Sequence, residues 1–88
     1  MKQNFRKAFN ALKKIGCPVI EGWDDPNTFV INGEENYNTC WANYNCMGID
    51  TNPNLDDFGV NHKINKILDA NGLIAEWINT GVLGVYQD

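Results

Sequence analysis

Between Gly16 and His62 the chain has no lysine and no arginine, yet it carries eight carboxylates there: Glu21, Asp24, Asp25, Glu34, Glu35, Asp50, Asp56 and Asp57. The basic residues lie outside that window, with Lys2, Arg6, Lys7, Lys13 and Lys14 before it and Lys63 and Lys66 after it. The net charge of -4 hides this segregation. A site built from the middle of the chain favours cations or a basic protein surface and repels phosphate.

Other absences narrow the field further. There is no run of ~18 apolar residues, so no membrane span is expected. The charged N-terminal segment has no apolar core, so a secretory signal is not expected either. Three cysteines, Cys17, Cys40 and Cys46, make an odd count, which argues for a reducing, cytoplasmic setting over a disulfide-stapled domain. The glycine-rich phosphate loops and the G-x-S-x-G elbow are missing, and no cofactor is expected. Eighty-eight residues make one domain, 1–88, able to bury only about 60–65% of its unfolded surface.

What is present reads as a mixed fold. Phe5, Ala8, Phe9, Leu12 and Ile15 form one apolar stripe at helical spacing, predicting a helix over 2–15. Gly16 and Pro18 stop it. Residues 19–23 and 28–32 read as strands of a hairpin around Asp24-Asp25-Pro26-Asn27, and Asn32-Gly33 marks a further reversal, since both residues tolerate positive φ. Residues 36–44 alternate weakly and predict a third strand, followed by a long loop over 45–59. Asn61 suits an N-cap for a helix ending at Ala70, with Val60, Ile64, Ile67 and Leu68 buried. Asn71-Gly72 closes that helix. Residues 73–78 and 82–86 form a closing hairpin, with Glu76 and Trp77 on opposite sides. The expected class is α+β in the order α-β-β-β-α-β-β: a single antiparallel sheet of about five strands, with both helices packed on one face.

Several constellations bear on chemistry. Asp50, Asn52 and Asn54 fall at the first, third and fifth positions of a calcium loop, with Asp56 as a further oxygen donor. The pattern then departs: Leu55 stands where glycine is needed and Asn61 where a bidentate glutamate closes the shell. Cys40, Cys46 and His62, with Cys17 or an aspartate as a fourth ligand, compose a zinc set of unusual spacing. A cysteine nucleophile would need the lone His62 beside Cys40 or Cys46, and the negative surroundings raise a thiol pKa rather than lower it. Tyr37, Trp41 and Tyr44 could stack on bases, but the region has no basic groove, so nucleic acid is disfavoured.

The C-terminal cadence of Gly59-Val60-Asn61, Gly72-Leu73, Glu76-Trp77 and Gly81-Val82 resembles small uncharacterised accessory proteins of bacteriophages. The resemblance covers about the last third of the chain and implies a viral protein acting in the host cytoplasm by binding another protein, host defence machinery included. It brings no catalytic residue. The reading expected from the residues is a non-catalytic, acidic and aromatic-bearing interaction domain that binds a basic partner protein or its own copy, with Trp41, Tyr44, Asp50, Asp56 and Asp57 at the contact. A calcium module, or after it a zinc module, is the alternative, and a small Cys/His enzyme the next.

Overall fold

A computed structural model describes residues 1–23, 25–33, 39–44 and 53–88. Two helices and four strands are present among them: α1 (Gln3–Lys14), β1 (Val19–Glu21), β2 (Phe29–Asn32), α2 (His62–Ala70), β3 (Leu73–Asn79) and β4 (Val82–Gln87). The strands form one antiparallel sheet in the order β1-β2-β4-β3.

The helical stripes follow the expected spacing except at Ile15, which lies past the end of α1 and is exposed, and at Ile67, which is only partly buried. Phe5, Ala8, Phe9 and Leu12 of α1 and Ile64 and Leu68 of α2 are buried. They meet Phe29 and Ile31 of β2, Leu73 of β3, and Leu83 and Val85 of β4 in one core. Each such side chain contributes roughly 1.5–3 kcal/mol through burial. Phe9 and Phe29 meet edge to face with centroids 5.4 Å apart, which ties α1 to the middle of the sheet. Gly16 takes φ +90 just beyond the end of α1, the left-handed stop that the sequence predicts. Lys13 and Lys14 occupy the last turn, where the helix dipole favours positive charge.

The opposite face of the sheet is open in part. Ile20, Trp23, Ile74 and Tyr86 are exposed on that side, while Val30 beneath them is buried. At the β1 edge, Arg6 of α1 pairs with Glu21. The hydrogen bond from Arg6 holds the Glu21 carboxyl below its ordinary pKa range.

Two expectations need correction. The sheet has four strands among the described residues, not five. Of the strand expected over 36–44, residues 36–38 lie outside the described residues, and 39–44 join no sheet. Instead, Ala42 bridges Val60 and Leu55 bridges Asn61, so this stretch pairs with the chain before α2. The second correction concerns Gly33, whose φ is not positive. Glycine is needed there for space: a Cβ would stand 3.0 Å from Cζ3 of Trp77.

Candidate functional site

The segment before α2 is built by short hydrogen bonds. Asn43 N–H donates to Gly59 (2.7 Å), and Asn61 N–H donates to Trp41 (2.9 Å). Asn61 is itself buried: its side-chain amide donates to the Cys40 carbonyl (3.0 Å), and its oxygen accepts from Lys63 N–H (2.9 Å), capping α2. One residue therefore starts the helix and fastens 39–44 to it.

Asp56 organises the turn that follows. One carboxylate oxygen accepts from the N–H groups of Phe58 (2.8 Å) and Val60 (3.0 Å), and the other accepts from the Asn65 amide (2.8 Å). The turn leaves Phe58 65% exposed. Its carbonyl accepts from Trp77 Nε1 at 2.7 Å. Tyr44 meets the same indole edge to face at 5.5 Å. Trp77 thus joins β3, the 53–61 turn and the 39–44 segment.

β3, the 53–61 turn and α2 enclose a groove of about 560 Å³ along β3. Phe58, Val60, Ile74, Ala75 and Trp77 supply its apolar surface, and Asp56, Asp69 and Glu76 its charge, with Asn65 beside them. Among the described residues, no lysine, arginine or histidine lines it. The geometry suits a ligand with both apolar and cationic groups.

The residues singled out in the sequence divide. Trp41 is 6% exposed and belongs to the core, so it offers no contact surface. Tyr44 is half-buried against Trp77. Asp56 lies in the groove, but its oxygens hold the turn together. Asp57 is exposed. Asp50 and Asn52 lie outside the described residues, as does Cys46. Asn54 is exposed, and its carbonyl accepts from His62 N–H (3.0 Å). Among the described residues no three of His, Cys, Asp and Glu come together in a metal-holding group. Cys17 is buried, and burial pushes its thiol up to about 12, so it is a neutral thiol at physiological pH.

Phe58, Asp69, Glu76 and Trp77 escaped the sequence reading as site residues. They come from three separate elements, and nothing in their spacing signals convergence. The available hint was Glu76-Trp77 in a strand otherwise free of charge.

No helix among the described residues is long and apolar enough to cross a membrane. No family model matches the chain, and neither a curated protein nor a solved structure matches it.

Proposed function

We propose that this protein is a non-catalytic interaction domain that binds a basic partner protein through the groove along β3. The observation that supports this most directly is the groove's composition among the described residues: three carboxylates around an apolar floor, with no cationic side chain in the lining. Aromatic anchors within a polar rim are the usual composition of protein-binding hot spots, and Phe58 and Trp77 fill that role here. The charge favours basic partners by steering and by repelling acidic ones. The resemblance to phage accessory proteins is of a piece with this reading, since it too implies action by binding.

Asp57, Asp69 and Glu76 are exposed and suited to a test. The probe is poly-lysine, titrated at low salt while the backbone amides and the Trp77 indole N–H are followed by NMR. Phe58, Trp77 and their neighbours are expected to shift. The triple variant Asp57→Asn, Asp69→Asn, Glu76→Gln should remove most of that response. Shifts confined to other surfaces, or a response unchanged in the variant, would refute the proposal.

A further inference from the structure

The groove borders an edge of the sheet, and the backbone there has a definite polarity. Asp88 N–H donates to Gly72 (3.0 Å), one step beyond the Leu73–Gln87 pair. Hydrogen-bonded and non-bonded pairs alternate along an antiparallel ladder. The bonded pairs are therefore Ile74–Tyr86 and Glu76–Gly84. On the other side of β4, Gly33 N–H donates to Gly81 (2.9 Å), so the odd-numbered residues of β4 bond to β2 and the even-numbered ones to β3. Both observations leave the N–H and C=O groups of Leu73, Ala75 and Trp77 pointing away from the sheet; Leu73 is buried, so the accessible ones are those of Ala75 and Trp77.

The two edges of the sheet are unlike. The β1 edge is three residues long, and Arg6 of α1 reaches across to Glu21 there. The β3 edge is seven residues long and has one charged residue, Glu76. Proteins usually blunt an edge of that length with charge, proline or a covering segment. No described strand pairs with its outer side.

We infer that β3 takes up an extended, basic segment of a partner protein as an additional strand of the sheet. The inference rests on the groove reading above and adds the mode of binding. The outward N–H and C=O groups of Ala75 and Trp77 supply the ladder. Alternate side chains of the incoming strand fall on the two sides of the edge. One set meets Phe58 and Val60 beside Asp56 and Asp69. The other set meets Ile74 and Glu76. Carboxylates stand on both sides, so arginine or lysine on the incoming strand is matched in either register. A second copy of this chain is the poorer occupant. Pairing two β3 edges would bring Asp56, Asp69 and Glu76 of each copy together without a compensating cation, and like charges across a sheet destabilise it.

The test uses the full chain and a synthetic peptide of alternating arginine and valine at low salt. Binding is expected, with slowed hydrogen exchange at the amides of Ala75 and Trp77. Ala75→Pro removes one of the two accessible outward donors at an edge position where proline is tolerated, and should weaken binding about tenfold or more. Selective N-methylation of the peptide backbone should do the same with the unaltered protein, whatever the fate of that variant. Glu76→Gln with Asp69→Asn should weaken binding by about tenfold and flatten its salt dependence. Salt-dependent binding that the charge variant weakens, but without amide protection and without sensitivity to N-methylation, would overturn strand addition and leave the acidic groove standing. Absence of binding, or binding indifferent to the charge variant, would overturn both. A dimer that buries the β3 edge and excludes the peptide would overturn the choice of occupant.

Discussion

Trp77 Nε1 donates to the carbonyl of Phe58 at 2.7 Å, and this bond holds the turn before α2 against the edge strand. Trp77→Phe keeps an aromatic ring and deletes the donor. The loss expected is about 0.5–1.5 kcal/mol, the usual net worth of one such bond. Urea unfolding measures it. The same variant should shift the amide resonances of Phe58 and Gly59, because the turn loses its anchor. Unchanged shifts would mean that ring packing alone fixes the turn.

Asp56 and Asp57 are neighbours with different work. Asp56 accepts three hydrogen bonds inside the turn, and Asp57 is exposed. Asp56→Ala leaves those donors to find water and should cost about 1–3 kcal/mol. Asp57→Ala should stay within about 0.5 kcal/mol, as surface substitutions do. Denaturation midpoints of the two single variants decide the matter, and equal midpoints would contradict the assignment.

Gly59 is the least replaceable glycine of the site. It has φ +80, and a Cβ there would collide with the backbone carbonyl of Asn43. Backbone strain alone costs about 1–3 kcal/mol at such a position, and the collision adds to it. Gly59→Ala should therefore lower the thermal midpoint and loosen the pairing of 39–44 with the turn. A midpoint equal to that of the unaltered protein would show that the two segments separate at little cost.

Cys17 should resist iodoacetamide at neutral pH in the folded protein and react once the chain is unfolded in urea. Its thiol is buried and pushed up to about 12, so the nucleophilic thiolate is scarce. The pH dependence has a definite sign. The unfolded thiol ionises near about 8.5, whereas the folded one stays neutral to well above that. Stability contributed by the buried neutral thiol is complete below the unfolded value and falls as pH rises through and beyond it. Cys17→Ser should remove that alkaline loss. Rapid alkylation of the folded protein, read by peptide mass spectrometry, would contradict the burial.

The helices were legible because a 3.6-residue stripe has one physical meaning in a chain this short. Phe5, Ala8, Phe9 and Leu12 face the core as their spacing requires, and Asn61 caps α2 as its side chain allows. Residues 39–44 misled because the weak alternation in their sequence is not an alternation in burial: Trp41 and Ala42 are both buried, and Ala42 makes an isolated bridge to Val60 instead of joining the sheet. The adjacency of β2 and β4 has no local signal. The site was legible only as charge. Asp56 could be recognised as part of an acidic stretch, but its N–H partners depend on a turn that sequence spacing does not specify. Asp69, Glu76 and Phe58 converge because α2 packs against β3, a tertiary fact.

The pairing of β2 with β4 carries a consequence for synthesis. Val30 has Gly84 as its neighbour, while the short β1–β2 hairpin can offer little stability alone. As the chain leaves the ribosome, β2 must wait for some fifty further residues before its second partner arrives. Meanwhile Phe29 and Ile31 have only the apolar face of α1 for shelter. The later segment, α2-β3-β4, can gather locally through its tight turns. The sheet is then completed when the β3–β4 hairpin docks the free edge of β4 on β2, and a stalled or truncated chain lacking β4 would expose β2 to other nascent chains.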